Sequence, residues 1–339
     1  MSMRKKSFFK DLFAVIPFIF SGLLGIALVF LLWQKTQKTP EFSTTLEDVS
    51  TIFIGISGFL AAIIMIYLAF QAASLKNTRH NVVDALSAIT QKMHNFRSIV
   101  ELLMRSKMWL PGLQEYIDDE FVGLNFFEVK EFYKGKSKLA IEFLQESHNY
   151  GDTENLYLEM KSLLMTSPKD KKIPEAIGFP TIYDKDIVEK WLEHKCGSGL
   201  WYYFGYKFAV YKDSLDIESV FERHQEKIMT LAHSIDSEAF EDSSFNEVFI
   251  SKLGEYMSKE VLPKLYQFQG SMGQKLPSIV RYLYIIFLFL VLFGLLLPIA
   301  SLLFSFTPIA LIISYSLVIS TIFFIATTFY QFLNKEMNS

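Results

Sequence analysis

The sequence predicts an all-α polytopic membrane protein, with two transmembrane helical hairpins flanking a cytoplasmic helical domain. Three observations lead there. Residues 282–334 run for fifty-three positions without one Asp, Glu, Lys, Arg or His. A second pair of apolar stretches occupies the N-terminal part, and the middle mixes acids and bases at helical spacing. A spanning helix needs about 20 apolar residues to cross about 30 Å of hydrocarbon, whereas a helix on a soluble core keeps one solvated face. The boundaries read as an N-terminal hairpin over 1–75, a helical domain over 76–278 and a C-terminal hairpin over 279–339.

The first span is expected over 12–33, behind Arg4, Lys5, Lys6 and Lys10. Its 22 uncharged residues exceed the 7–15 of a signal-peptide core, and Trp33-Gln34-Lys35 is no small-residue cleavage site, so an uncleaved anchor is read. The second span is expected over 51–73, after Thr44-x-x-Glu47, a capping-box pattern. The third covers 282–304 and the fourth 308–332, joined by Ser305-Phe306-Thr307, with Pro308 at a first helical turn where its missing N–H costs nothing. Basic residues precede the first span and the third (Arg281) and follow the second (Lys76, Arg79) and the fourth (Lys335). By the positive-inside rule both termini and the middle domain face the cytoplasm, in an inner membrane.

No acid, base or histidine lies inside the spans, which argues against an ion-coupled transporter. Small residues recur four apart at Ser21/Gly25, Ser57/Ala61 and Gly58/Ala62, a spacing that lets helices approach, within one chain or between copies. In the fourth span Ser314, Ser316, Ser320, Thr321, Thr327 and Thr328 gather on one broad side. Two readings stay open: hydroxyls bonding their own or a neighbouring helix, and a pore lining shared by several copies.

The middle domain begins with a helix over about 76–110. Val82, Leu86, Ile89, Met93, Phe96, Val100 and Leu103 alternate four and three apart, the pattern of a coiled-coil oligomer seam. Lys107 interrupts that pattern, and beyond Val100 the apolar positions step by four through Met104 and Met108, as on a helix laid against its own domain. Further helices are expected over 114–147 (broken near Gly123 or Gly135), 153–166, 185–195, 200–213, 216–235 and 244–260, with Thr153 and Ser244 as N-caps. Residues 167–174 read as a loop and Cys196-Gly197-Ser198-Gly199 as a turn. Trp201, Tyr202, Tyr206 and Tyr211 belong to an aromatic segment that is either a core helix with its hydroxyls at the rim or a partner, ligand or membrane-interface surface.

Motifs that carry chemistry are missing. There is no phosphate loop, no GxGxxG and no HExxH, and no cofactor is expected. The net charge of −3 comes without a clustered basic field, so direct nucleic-acid binding is not expected. The single cysteine, Cys196, excludes a disulfide framework, and His194-x-Cys196 supplies two metal ligands at most. Glu128-Val-Lys130 and Glu159-Met-Lys161 echo a nuclease element but fall in helical patterns, and read as solvated faces. An enzyme is therefore not predicted.

Three segments carry a resemblance: QAASLKNTRHNVV at 71–83, FYKGKSKLAIEFLQE at 132–146 and LWYYFGYKFAVYKD at 200–213. Together they resemble phage abortive-infection membrane proteins, although the C-terminal pair of spans departs from that pattern. The resemblance implies a two-span anchor followed by a cytoplasmic helical domain. With the uncharged spans and the heptad helix it leads to the expectation of a bacterial inner-membrane defence protein, a non-enzymatic sensor and effector that perturbs the lipid bilayer as a homo-oligomer or with a protein encoded nearby. The rival expectation is a membrane scaffold that recruits a cytosolic partner without forming a pore.

Overall fold

In the computed structural model, the structure describes residues 5–39, 41–132, 137–147, 149–167, 170, 177–272, 276–304 and 308–337, with side chains between 16 and 329. Every regular element among them is helical, and the extended backbone pairs only in an isolated bridge, Trp109 with Leu215. The order is α1 (Lys5–Lys38), α2 (Phe42–Met104), α3 (Leu113–Glu115), α4 (Phe126–Glu131), α5 (Lys138–Glu146), α6 (Glu154–Leu164), α7 (Lys185–Glu193), α8 (Ser198–Trp201) and α9 (Phe208–Tyr211). Then follow α10 (Glu222–Ile235), α11 (Ser237–Phe240), α12 (Glu247–Tyr256), α13 (Leu262–Met272), α14 (Ser278–Phe289), α15 (Leu297–Phe304) and α16 (Pro308–Met337). Wider π-turns continue four of these helices, at Tyr116–Glu120, Tyr202–Tyr206, Met257–Val261 and Leu290–Leu296. The chain divides into two compact units, Met1–Thr78 with Lys275–Ser339, and Arg79–Gln274.

Helices long and apolar enough to cross a membrane are Ile16–Lys38, Phe42–Met104, Ser278–Phe304 and Pro308–Phe329, all within the first unit except for the stretch of α2 beyond Thr78. This unit is knitted from opposite ends of the sequence. On α1, Ser21 Oγ donates to the Ser320 carbonyl (2.8 Å), and Ser320 Oγ donates back to the Ser21 carbonyl (2.5 Å). A Cβ on Gly25 would lie 3.3 Å from Ser320 Oγ, so the small residues at 21 and 25 are what bring α1 onto α16. On α2, buried Ser57 faces Gly294, where an added Cβ would fall 2.6 Å from Ser57 Cβ. The small-residue spacings at 21/25 and 57/61 thus serve packing within one chain.

Pro298 explains the π-turn at Leu290–Leu296. It has no N–H for the carbonyl four residues back, and its ring crowds that carbonyl, so the preceding turns widen. The disturbed backbone is met from the neighbouring helix, where Ser314 Oγ donates to the Phe293 carbonyl. Tyr315 donates to the Leu46 carbonyl (2.6 Å), and the Tyr282 and Thr328 hydroxyls bond each other (2.7 Å). The expected tight link at 305–307 and the basic tip at Arg4 lie outside the described residues, as do the side chains of Lys5, Lys6, Lys10 and Lys335.

The second unit packs around α6. Of its residues Glu154–Leu164, all but Asn155 are buried, because apolar side chains occur on every side of this helix. The Arg79–Met104 part of α2 lays Leu86, Met93, Phe96, Val100, Leu103 and Met104 into the same core, with Ile89 packed partly against it and Val82 half-buried. Met93, Phe96, Val100 and Leu103 have no exposed surface left, so the four-three stripe turns inward at those positions. Its core contains Arg97, fully buried and, among the described residues, without a carboxylate partner. The guanidinium donates instead to the carbonyls of Leu163 (2.9 Å), Leu164 (2.7 Å) and Gly178 (2.7 Å), capping the negative end of α6.

Three expected caps are corrected. α2 begins at Phe42, so Thr44 lies inside the first turn and its hydroxyl donates back to the Glu41 carbonyl. Thr153 precedes α6, yet its hydroxyl donates to the Tyr150 carbonyl and no side chain caps that helix. α12 is capped by Asn246, whose Oδ1 accepts from the Phe249 N–H (2.9 Å), two residues after Ser244. In each case a nearer acceptor, or the helix start itself, displaced the expected hydroxyl. The break expected near Gly123 is present, with φ of 95°, whereas Gly135 and most of the expected loop at 167–174 lie outside the described residues.

Candidate functional site

The turn at 194–199 organises the most elaborate polar site in the second unit. α7 ends at Glu193, and the chain then reverses through Lys195 (φ 52°) and Gly197 (φ 93°) before α8 begins. A non-glycine residue held at positive φ is uncommon and marks stored strain. What holds it is a carboxyl from α6: Glu159 Oε1 accepts the N–H groups of Gly197 (2.6 Å) and Gly199 (2.9 Å). Glycine at 199 is set by close approach, since a Cβ there would fall 2.6 Å from Glu159 Oε2.

Glu159 is a correction to the sequence reading. Glu159-Met-Lys161 was expected on a solvated face, but Glu159 keeps 6% and Lys161 only 1% of its surface. The signal was present in Leu156, Tyr157, Leu158, Met160, Leu163 and Leu164, which leave α6 no polar face for a charge to occupy. Each charge has a partner instead. Lys161 Nζ meets Asp118 Oδ1 at 2.5 Å, and Tyr157 donates to Oδ2 of the same carboxylate (2.8 Å). Burial pushes the Glu159 carboxyl up to about 7, against the pull of the Gly199 and Gly197 N–H groups and of Lys130.

Above Glu159 opens a cleft of about 410 Å³, walled by Phe126, Trp201 and Tyr202, with Asn155 on one side and the exposed Lys130 and Lys195 at its mouth. The volume is that of a small-molecule site. The aromatic wall follows from the π-turn at Tyr202–Tyr206, which rotates successive side chains to different faces. Tyr203 and Phe204 go into the core, while Trp201, Tyr202 and Tyr206 stay exposed. Trp201 and Tyr206 stack with centroids 6.1 Å apart at 15°, and half-buried Tyr211 packs on Tyr203 at 4.6 Å. The aromatic segment is therefore split between buried and exposed positions along its length.

Cys196 is fully buried beside Glu159, and burial, then the charge of Glu159, raises its thiol well above the ordinary range. Its Sγ lies 3.7 Å from Ser162 Oγ. Such a thiol is neither a nucleophile nor a ready metal ligand. His194 points elsewhere, with Nε2 3.5 Å from Glu131 Oε1, so the two residues do not converge as a ligand pair. Glu131, Glu193 and His194 offer atoms within 4.8 Å of one another, but the Lys190 ammonium already stands 2.5 Å from Glu131 and 3.9 Å from Glu193.

The span hydroxyls are engaged largely within the chain. Ser314 and Ser320 bond across helices, Thr321 and Thr327 bond back to their own helix, and Thr328 does both. Among the described residues the buried hydroxyls of Ser316 and Ser57 have no hydrogen-bond partner. The class defined by these features is an all-helical protein with four helices able to span a membrane and a second helical unit bearing a carboxyl-floored aromatic cleft. No protein-family model, curated protein or solved structure matches the chain.

Proposed function

We propose that the protein is a multi-pass inner-membrane sensor and effector, without enzymatic activity, whose helical unit receives a cue and passes it to the spans. The supporting observation is the cleft over Glu159, a ligand-sized opening in a unit joined to membrane-length helices through both its entry (α2) and its exit (the segment before α14). In this reading two hairpins cross the bilayer, and both termini and the helical unit lie in the cytoplasm, following the basic residues at the span ends. A change of packing in a unit held at two points tilts the helices it is joined to, an interface shift of the kind that switches use. Membrane perturbation then follows in the first unit, where the hydroxyls of Ser57 and Ser316, without a partner among the described residues, offer polar groups at membrane depth.

The setting in phage defence rests on the three resembling segments alone. Induced expression of the whole chain with its neighbouring genes should depolarise cells on infection, read with a voltage-sensitive dye, and lower phage plating. Unchanged potential and plating, with the protein verified in the membrane, would refute the effector role. A stoichiometric cytosolic partner retained under those conditions would favour the scaffold, for which exposed Trp201, Tyr202 and Tyr206 supply a surface.

A further inference from the structure

The acceptor at the bottom of the cleft is half used. Both backbone N–H groups go to Glu159 Oε1, and Oε2 has no hydrogen-bond partner among the described residues although the side chain is more than nine-tenths buried. Gly199, bare of a Cβ, keeps the approach to Oε2 clear. Above about pH 7, where the Glu159 carboxyl has lost its proton, a ligand that satisfies this oxygen must bring N–H donors, because an ionised carboxylate oxygen repels another acceptor. The walls, Phe126, Trp201 and Tyr202, favour a flat ring system. At the mouth, Lys130 stands with Nζ 5.0 Å from the Phe126 ring centroid, and Lys195 is fixed at positive φ on the opposite element. Two exposed ammonium groups beside an aromatic wall favour an anion on the outer end of the ligand.

We propose that the cleft binds a guanine mononucleotide, its N1–H and N2–H edge on Glu159 Oε2, its ring along Trp201 and Tyr202, and its phosphate between Lys130 and Lys195. Guanine carries two adjacent N–H donors on one edge, whereas adenine puts an acceptor, N1, where Oε2 lies. Base recognition by edge hydrogen bonds and aromatic stacking is the general mode for unstacked nucleotides. The site lies wholly within the Arg79–Gln274 unit. The proposal rests on the sensor reading for its purpose and is tested apart from it, since binding reads the cleft and depolarisation reads the coupling.

The test is calorimetric titration at pH 8, where Glu159 is ionised, of the purified full chain in lipid nanodiscs with GMP, AMP and guanosine. GMP should bind saturably, and AMP and guanosine each about tenfold more weakly, the first lacking the donor edge and the second the anion. Glu159→Gln keeps an oxygen for the Gly197 and Gly199 N–H groups but turns donors towards the base, so GMP binding should drop at least about tenfold. Lys130→Ala, on an exposed side chain, should weaken GMP and leave guanosine unchanged. If the Glu159 variant fails to fold, the Lys130 variant and the GMP-to-AMP ratio decide. The proposal is overturned if millimolar GMP gives no heat with the folded chain, if AMP binds as tightly as GMP, or if Lys130→Ala binds GMP like the wild type.

Discussion

At the scale of single residues, the second unit is specified by charges placed where a sequence reading does not expect them. Arg97 and Glu159 are both buried and both meet backbone at a helix end: Arg97 donates to carbonyls that close α6, and Glu159 Oε1 accepts N–H groups of the turn before α8. For Arg97 aligned carbonyl dipoles offset the cost of removing its charge from water, whereas for Glu159 burial outweighs the two N–H groups and the carboxyl keeps its proton. Glu159 gives a measurable consequence. Its carboxyl sits at about 7 in the fold against an ordinary 4.5, so the folded state holds a proton that the unfolded state has lost between those values. Stability contributed by this proton is complete below about pH 4.5 and falls as pH rises to about 7, by about 3 kcal/mol. Asp236, drawn below its usual 3.8 chiefly by the Tyr256 hydroxyl, acts in the opposite sense and only at more acid pH, as it takes up its proton. Melting temperatures at pH 5 and pH 8 should therefore differ for the wild type and converge in Glu159→Gln. An undiminished difference in that variant would assign the slope to another group.

At the scale of elements, the close fit of the third span against the second turns on one glycine. Gly294→Ala would place a Cβ 2.6 Å from Ser57 Cβ, inside any tolerated contact, and should destabilise the first unit by about 1–3 kcal/mol. Adding Ser57→Gly should return part of that loss, and thermal stability of the four variants in detergent measures the coupling. Independent, additive effects would mean that the two helices do not meet there. The apolar helices were legible because a run such as 282–334 has no soluble explanation. The inward turn of the Val82–Leu103 stripe was legible in part, since Lys107 and the step through Met104 and Met108 already spoke for a core-facing helix. The cleft was not legible. Its floor comes from α6, its turn from the 194–199 reversal and its walls from α4 and α8, pieces that become neighbours only after folding. The π-turns were also hidden, because one extra residue per turn leaves the helical composition unchanged while redirecting Trp201, Tyr202 and Tyr206 to the surface.

At the scale of the whole molecule, the membrane-length helices belong to one compact unit although they lie at opposite ends of the chain, as the Ser21–Ser320 hydroxyl pair makes concrete. A helical unit inserted between them is joined to that bundle through both its entry and its exit. The sensor reading depends on this insertion lying on the cytoplasmic side while the loop between α1 and α2 lies on the other. Labelling of introduced cysteines with a membrane-impermeant maleimide in bacterial spheroplasts tests that arrangement most directly, and the native Cys196, being buried, stays silent. Lys38→Cys, at an exposed position at the end of α1, should react in intact spheroplasts, and Asp242→Cys, exposed in the helical unit, only after lysis. Labelling of position 242 before lysis, or protection of position 38, would contradict the account.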